Sequence, residues 1–331
     1  MKIIYDAMGG DYAPLEIVKG AVLAKKELNI EPILSGNHEA IEKILNDLNE
    51  KVEEYEILDA NTIIENDEEP VVALRRKKDS SLVVGLNYLA ENNGDGLISA
   101  GSTGALLAGG LFIIKRIDGV ERTPIATLIP TKSKPFLLVD TGANVDTTPE
   151  LLNQFAIMGS IYSEKSLGNE KPKVGLLNIG KEEGKGNNLY KKAYTLLAEN
   201  KYINFIGNVE AREIPYGVVD VVIADGFDGN IFLKTYEGTA SMIMDLFKEN
   251  LATIEDKQTA GALKDLLYKT FAHFQYSNLG GAPLLGLNKP VFKAHGISDA
   301  QAILGASKQL KNFVENEVIE TMIKDIKELN E

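Results

Sequence analysis

The stretch IIYDAMGGDYAPLEIVKGAVLAKKELNIEPIL, residues 3–34, contains in order an apolar run, a glycine-rich polar loop, a helical pattern and a second apolar run. The apolar runs at 3–5 and 33–34 are short, which is typical of buried strands. Residues 14–28 repeat apolar side chains at helical spacing, which predicts an amphipathic helix. A strand, a helix and a strand in this order predict a parallel strand pair, the repeating unit of α/β proteins.

The same alternation continues along the chain and sets the predicted fold class. Further strands are predicted at 55–58, 97–99, 125–129, 136–139, 174–179 and 218–224, and further helices at 38–50, 80–92, 104–115, 149–163, 188–199 and 299–328. This pattern predicts an α/β fold, a multilayer α-β-α arrangement with a mostly parallel sheet. No linker divides residues 1–331, so we expect one unit with a helical subdomain at 240–280, where two helical patterns follow each other.

Composition excludes several classes of function. The 331 residues have no cysteine, which removes disulfides, thiolate-bound metals and a cysteine nucleophile and favours a cytoplasmic protein. The net charge of −13 argues against nucleic acid as a partner, because phosphate neutralisation needs a basic surface. Residues 96–114 carry no charge, but their five glycines favour a buried strand, turn and helix over a membrane span.

Five polar loops that contain glycine follow predicted strands, at 6–11, 99–104, 140–144, 178–186 and 225–230. In parallel sheets, ligands bind outside the carboxyl ends of the strands. These loops therefore predict a site at one edge of the sheet. Neither 6–11 nor 178–186 has the spacing of a dinucleotide or Walker motif, so NAD and ATP lose support and we expect no cofactor.

The loop SAGSTG, residues 99–104, offers backbone N–H groups and two hydroxyls to an anion such as phosphate. A tight turn followed by a helix N-cap explains the same residues equally well. We expect a structural role for Asp6 and leave Asp11 as a candidate for substrate binding. The candidate phosphate- or substrate-binding residues of these loops are Ser99, Gly101, Ser102, Thr103, Gly104, Asn144 and Asp11.

Candidate catalytic residues lie at the other strand ends. Lys185 is one of two lysines in the 178–186 loop and could neutralise phosphate, although solvated loop lysines are common. Asn230 could orient a substrate, while Asp225 and His295 could move a proton, and helix caps explain many such residues too. Only three histidines occur and no acidic metal loop is present, so we expect no metal site.

Two surface segments are candidate docking sites. Arg75, Arg76, Lys77 and Lys78 form either a solvated face or a patch for an acidic protein. In residues 257–276, one helical stripe suits a membrane surface, although a dimer interface or ordinary core gives the same pattern more often. The stripe consists of Leu263, Leu266, Leu267, Phe271 and Phe274.

Taken together, the ordered motifs resemble the bacterial acyl-ACP:phosphate acyltransferases, the PlsX family, along essentially the whole chain. The motifs are DAMGGD (6–11), SAGSTGAL (99–106), DTGAN (140–144), QFAIMGSIYSE (154–164), LLNIGKEEGKG (176–186), ADGFDGN (224–230), GGAPLLGL (280–287) and KAHG (293–296). The resemblance implies a fold like phosphate acetyltransferase and isocitrate dehydrogenase. It also implies a cytoplasmic homodimer that associates peripherally with the membrane.

The resemblance further implies reversible transfer of a fatty acyl group from acyl carrier protein to inorganic phosphate. The acyl phosphate would serve a membrane enzyme of phospholipid synthesis, acyl-phosphate:glycerol-3-phosphate acyltransferase. We expect direct attack by phosphate, with the 99–104 loop and Lys185 holding it. Asn144 and Asn230 would orient groups, and Asp225 or His295 would handle the proton.

Two other functions fit parts of the sequence. A phosphate acetyl- or butyryltransferase would use coenzyme A esters with the same phosphate chemistry. A noncatalytic membrane-associated scaffold is supported by the amphipathic stripe alone and is disfavoured by the five polar loops. The identity of the acyl carrier separates the two enzymes, and any phosphate-dependent turnover excludes the scaffold.

Overall fold

The computed structural model describes residues 1–271 and 280–330, whose strands form two sheets flanked by helices. The strands are β1 (Lys2–Asp6), β2 (Glu31–Gly36), β3 (Glu56–Asp59), β4 (Gly96–Ser99), β5 (Ala126–Ile129), β6 (Phe136–Val139), β7 (Lys173–Asn178), β8 (Asn204–Glu210), β9 (Val221–Ile223), β10 (Ala282–Pro283) and β11 (Val291–Lys293). The helices are α1 (Leu15–Leu28), α2 (His38–Asp47), α3 (Pro70–Arg76), α4 (Ser81–Ala90), α5 (Thr103–Gly109), α6 (Pro149–Leu167), α7 (Asn188–Glu199), α8 (Gly226–Ala252), α9 (Lys257–Phe271), α10 (Ala300–Glu315) and α11 (Val318–Asn330).

The first sheet has six strands in the order β10-β11-β4-β1-β2-β3. All of its pairs are parallel except β10 with β11. The register places Lys293 of β11 beside Ser99 of β4 and Tyr5 of β1 beside Ile98. A residue from near the end of the chain therefore lies next to the loop that follows β4.

The second sheet has five strands in the order β5-β6-β9-β7-β8, and only β5 runs antiparallel to its neighbour. Residues 284–287 join the two sheets. The Leu285 N–H donates to Pro124 O at 3.0 Å, and the Ile117 N–H donates to Gly286 O at 2.9 Å. The carboxyl ends of strands from both sheets consequently border one space.

A continuous core connects the two sheets. Helix α6 is buried on most of its surface and packs against β6, β9, α10 and α11, while α10 also packs against α1. The α1–α10 contact is close because Gly20 has no side chain. A Cβ at Gly20 would lie 2.4 Å from the Ile303 Cβ. This shared packing holds the two sheets in a single folded unit.

The structure confirms the predicted α/β fold class, with differences in detail. The sequence patterns missed the strands β8, β10 and β11 and the short helix α3. The predicted C-terminal helix is two helices, because Glu317 has a left-handed backbone with φ of 52°. The 225–230 segment is the start of α8 rather than a loop, since the Asp225 side chain caps the helix by accepting from the Asp228 N–H at 2.8 Å.

The helical segment expected at 240–280 corresponds to the pair α8 and α9, of which α8 already begins at Gly226. The Phe274 position of the predicted stripe lies outside the described residues, and the side chain of Phe271 is also not described. Across the described parts of the chain, every helix is too short or too polar to cross a bilayer.

Candidate active site

A cleft of about 650 Å³ lies between the carboxyl ends of the two sheets. The first sheet contributes the residues after β4 and β11, and the second sheet contributes the residues around β5 and after β6. Helix α8 and residues 280–282 complete the walls. The side chains and backbone that border the cleft include Asn66, Gly101, Thr103, Ile125, Thr127, Leu128, Thr141, Asn230, Leu233, Lys234, Glu237, Lys293, His295, Ile297 and Ala302.

Behind the 99–104 loop, Asp6 is a buried carboxylate with defined partners. It accepts hydrogen bonds from the Ser81 Oγ at 2.5 Å and the Ser99 Oγ at 2.6 Å. Burial raises the pKa of Asp6, and these hydrogen bonds oppose that rise. Gly9 packs so closely that a Cβ there would lie 2.8 Å from the Gly101 nitrogen. Asp6 therefore has the structural role expected from the sequence, as the anchor that holds two loops together.

The members of the 99–104 loop divide between two roles. Gly101 and Thr103 line the cleft, where they can contact a ligand. Ser102 is buried and caps α5 by accepting from the Ala105 N–H at 3.4 Å. Gly104 packs on Pro70, whose Cγ would lie 2.7 Å from an added Cβ. The capping interpretation thus holds for Ser102, while Gly101 and Thr103 remain the candidates for binding an anion.

The segment after β11 forms another wall of the cleft. His295 lines it and is solvent-exposed on one side, and its Nδ1 accepts from the Ile297 N–H at 3.5 Å. Burial and the nearby Lys293 ammonium lower the pKa of His295, while Asp11 opposes the change. Asp11 is exposed beside this wall, with its N–H donating to Gly296 O at 2.8 Å. His295 is therefore a neutral imidazole at pH 7.

Lys293 is a cleft residue that the sequence analysis did not single out. Its ammonium donates to Ala100 O at 3.3 Å and to Ala294 O. Burial lowers the pKa of Lys293 to about 8, although Asp6 and Asp11 raise it. Lys293 is the last residue of β11 and the first of the KAHG motif, two residues before His295. The local signal that selected His295, an apolar pair just before it, also precedes Lys293.

The second sheet contributes an ordered loop after β6. One Asp140 oxygen accepts from the N–H groups of Ile125, Gly142 and Ala143 at 2.9, 3.2 and 3.1 Å, and the other accepts from the Asn144 N–H at 2.7 Å. Asn230 lines the cleft and donates to Thr141 O at 2.8 Å. This loop therefore fixes the position of Asn230 at the cleft wall.

Asp11, Ser99, Ser102 and Gly104 do not line the cleft themselves, and three further predicted site residues also lie outside its lining. Asn144 donates through Nδ2 to Asp140 and to Thr123 O. Asp225 caps α8 and accepts from the Tyr190 hydroxyl at 3.2 Å, and burial, with a contribution from Asp228, raises its pKa. Lys185 is half-exposed, 4.0 Å from Glu182. These three residues do not share the cleft lining with Gly101, Thr103, Asn230 and His295.

The basic cluster is smaller than its sequence indicates. Arg75, Arg76 and Lys78 are exposed. Lys77, by contrast, pairs with Glu68 and donates to Ile63 O at 2.7 Å, so its charge anchors the loop before α3.

The exposed part of the apolar stripe is also smaller than the sequence indicates, because Leu263 and Leu266 are exposed on α9 while Leu267 is buried. Leu267 borders a groove between α8 and α9, which explains its burial.

Comparisons with known proteins agree with this architecture. A phosphotransacetylase from Streptococcus pyogenes aligns with a TM-score of 0.64 at 20% identity, covering 97% of this chain and 94% of its own. A branched-chain phosphotransacylase from Enterococcus faecalis aligns with a TM-score of 0.59 at 14% identity, covering 95% of this chain and 99% of its own. The chain thus has the α/β fold of the phosphotransacetylases, as the sequence resemblance implied.

Sequence comparison gives the family. A family model described as "Fatty acid synthesis protein" matches residues 1–321. Proteins named phosphate acyltransferase from Thermoanaerobacter pseudethanolicus and Oceanobacillus iheyensis are 46% and 49% identical, over 100% and 97% of this chain and 99% and 96% of their own lengths. The chain belongs to this phosphate acyltransferase family of fatty acid synthesis, and it is a transferase. The family resemblance predicted from the motifs is confirmed.

Proposed function

We propose that this protein transfers a fatty acyl group from the thioester of acyl carrier protein to inorganic phosphate. The acyl phosphate product would pass to a membrane acyl-phosphate:glycerol-3-phosphate acyltransferase for phospholipid synthesis. The main support is the cleft between the two sheets. It brings the loop residues Gly101 and Thr103 together with an apolar wall that includes Ile125, Leu128 and Leu233. Such a cleft can hold an anion beside an apolar chain.

The reaction needs little covalent chemistry from the protein. Phosphate is already a nucleophile, so the site has to hold it against the thioester carbonyl and stabilise the tetrahedral oxyanion. We assign phosphate binding to Gly101 and Thr103 and substrate orientation to Asn230. Of the two proton-transfer candidates, His295 lines the cleft and Asp225 does not. As a neutral imidazole, His295 can accept the proton of hydrogen phosphate as the new bond forms.

Lys185 and Asn144 have supporting roles in this proposal. Asn144 holds the loop after β6 through the Asp140 carboxylate rather than contacting substrate. Lys185 adds exposed positive charge outside the cleft lining, where it can attract an anionic substrate. Direct binding of phosphate by Lys185 is disfavoured, because its loop does not border the cleft.

Incubation of the purified protein with palmitoyl-ACP and inorganic phosphate tests the donor. We expect phosphate-dependent release of the carrier thiol together with formation of palmitoyl phosphate. A parallel incubation with acetyl-CoA is the control. Release from acetyl-CoA alone would identify a coenzyme A-dependent acyltransferase instead. Absence of release from both donors would contradict both enzymatic proposals and would leave the scaffold function.

We also propose that Arg75, Arg76 and Lys78 bind acyl carrier protein, which is acidic. Helix α3 connects this cluster with the cleft. Its first residue, Pro70, packs on Gly104, and Asn66, just before the helix, lines the cleft. Seven helical residues span about 10 Å, so a carrier bound at the cluster lies close to the cleft. The local positive charge of this cluster would attract the acidic carrier, although the enzyme as a whole has a net charge of −13.

Charge reversal of this cluster should weaken carrier binding. We expect Arg75→Glu combined with Arg76→Glu to raise the KM for palmitoyl-ACP about tenfold at low salt. This increase corresponds to a loss of about 1.4 kcal/mol of binding free energy. The effect should shrink as salt rises, because the Debye length is about 8 Å at 0.15 M. Turnover of a small acyl phosphate in the reverse direction should change little. Lys191→Glu combined with Lys192→Glu, two exposed lysines of α7, is the matched control. Equal KM changes in the two double variants would contradict docking at this cluster.

The α8–α9 pair is the proposed membrane contact of a cytoplasmic enzyme. Leu263 and Leu266 of α9 are 40% and 60% exposed, and Leu246 of α8 is 50% exposed. Apolar side chains on paired helices can insert into the interfacial region of a bilayer.

The exposed Phe227 and Ile231 at the start of α8 support the proposed homodimer, since a second copy of the chain would cover them.

Substitution of the exposed stripe tests membrane binding. We expect Leu263→Glu combined with Leu266→Glu to abolish sedimentation with anionic liposomes, because two charges would have to enter the apolar layer. Catalysis in detergent-free solution should continue. Tyr202→Glu combined with Ile206→Glu introduces the same charge at exposed apolar positions near β8 and should leave liposome binding intact. If the α9 double variant bound liposomes as well as the wild type does, the stripe would instead be assigned to an interface between protein subunits.

A further inference from the structure

Lys293 lines the cleft on the side formed by the first sheet. Its strand, β11, pairs with β4, so the side chain lies next to the backbone that leads into the 99–104 loop. Ala100 and Gly101 of that loop line the same cleft. An ammonium group at this place is within the volume where the reacting thioester would bind, if the loop binds phosphate as proposed.

The contacts of Lys293 leave it able to act on a ligand. Its ammonium has three N–H donors, and the described acceptors are the carbonyl oxygens of Ala100 and Ala294. The nearest buried carboxylate, Asp6, already accepts from two serine hydroxyls. Asp6 therefore attracts the ammonium electrostatically, while a third donor remains for a group in the cleft.

We propose that Lys293 is the general acid that protonates the thiolate leaving group. This inference rests on the proposed transfer from a thioester to phosphate. An oxygen of hydrogen phosphate attacks the carbonyl carbon, and a C–O bond forms. The tetrahedral oxyanion then collapses, and the C–S bond breaks with its electron pair remaining on sulfur. The sulfur takes a proton from the Lys293 ammonium and leaves as a thiol.

The proton balance closes within the cleft. His295 takes the proton of hydrogen phosphate as the C–O bond forms, and the neutral amine of Lys293 recovers this proton from the His295 imidazolium by way of solvent. No oxidant, reductant or metal is needed. Overall, hydrogen phosphate and thioester become acyl phosphate and thiol, with no net proton gained or lost.

The acidity of Lys293 suits this step. Its pKa of about 8 lies close to that of an alkyl thiol, about 8.5 in cysteine, so the ammonium is populated at pH 7 and can still give up its proton. His295 is neutral at that pH because its own pKa is lowered. The charged and titratable groups that share the surroundings of Lys293 are Asp6 on β1, Asp11 in the following loop, His295 beyond β11, Asp299 before α10, and Lys234 and Glu237 of α8.

Two thioesters and two variants test the assignment. A palmitoyl thioester of thiophenol releases a thiolate that is a much weaker base than an alkyl thiolate, so its departure needs little help from an acid. We expect Lys293→Met to lower kcat at least about 100-fold with palmitoyl-ACP and less than tenfold with the aryl thioester. Lys293→Arg keeps the charge but holds its proton, so it should fail with palmitoyl-ACP as Lys293→Met does.

The controls separate this proposal from a structural role and from the proposed function. Lys308→Met removes an exposed lysine of α10 and should leave both rates within about twofold. Equal losses with both thioesters, or rescue by arginine, would show that charge or packing matters and would overturn the general acid. Inactivity of the wild-type protein with palmitoyl-ACP would instead contradict the proposed function.

The wild-type protein gives a test that does not depend on a folded variant. With palmitoyl-ACP, kcat should fall as pH rises through about 8, because the Lys293 ammonium deprotonates there. With the aryl thioester, the same alkaline limb should be absent. An alkaline limb of equal depth with both substrates, or with neither, would overturn the assignment.

Discussion

Gly229→Ala is expected to lower the free energy of unfolding by about 3 kcal/mol and kcat by about 100-fold. A Cβ at Gly229 would lie 1.9 Å from the carbonyl oxygen of Asp140, which is backbone and cannot rotate away. The start of α8 would have to move from the 140–144 loop. Asn230, whose amide donates to Thr141 O, would move with it and leave its place on the cleft wall. Urea denaturation and the rate of acyl phosphate formation measure the two effects.

Gly238→Ala is the matched control, because it makes the same change in the same helix. No atom lies within 4 Å of a Cβ at Gly238, and alanine is the better helix former by about 1 kcal/mol. This variant should therefore be slightly more stable than the wild type and fully active. Equal stability of the two alanine variants would contradict the close approach of α8 to the 140–144 loop.

Asp6→Ala should destabilise the protein by about 3–5 kcal/mol, the usual result of removing one partner from a buried charged group. The substitution leaves the Ser81 and Ser99 hydroxyls without their acceptor and the largely buried Lys293 ammonium without its nearest buried anion.

Loss of the Asp6 anion would also lower the pKa of Lys293 further. The alkaline limb of kcat should therefore shift to lower pH in Asp6→Asn, which keeps an acceptor oxygen but no charge.

Asp95→Ala provides the comparison for the Asp6 variants. Asp95 precedes β4 at the opposite end of the first sheet, where it is exposed and accepts from the Lys2 N–H at 2.7 Å. Removing an exposed acceptor of this kind should cost about 1 kcal/mol or less. A cost for Asp6→Ala as small as that for Asp95→Ala would show that the buried network does not hold the two loops. If the alkaline limb of kcat did not shift in Asp6→Asn, the charge of Asp6 would have no effect on the pKa of Lys293.

The candidate site was predicted in part from the sequence. Gly101, Thr103 and Asn230 belong to polar segments that follow predicted strands, His295 was selected from the KAHG motif, and all four line the cleft. Asp225 matches the same pattern but caps α8. A glycine-rich polar segment looks the same in sequence whether it forms a loop or the first turn of a helix. Its hydrogen bonds, which only the folded chain shows, separate the two cases.

Two of the three missed strands, β10 and β11, were missed for the same physical reason. β10 and β11 contain two and three residues, too few to show a period, and Pro283 lies within the first. β11 pairs with β4 and β10 pairs with β11, so their place in the sheet depends on a contact almost two hundred residues apart in sequence. Lys293 was missed for the same reason, because its importance comes from the strand beside it and from the buried Asp6 below.

The sequence by itself determined the α/β class, the places of most strands and helices, the loops at the strand ends and the family. These depend on local periodicity, glycine content and ordered motifs, all of which are visible along the chain. Tertiary structure alone decided which side chains of each loop face the cleft and which cations remain exposed. Lys77 is tied to Glu68, whereas Arg75 is exposed, although both belong to one basic run. Burial and long-range pairing produce these differences, and neither has a local signal in sequence.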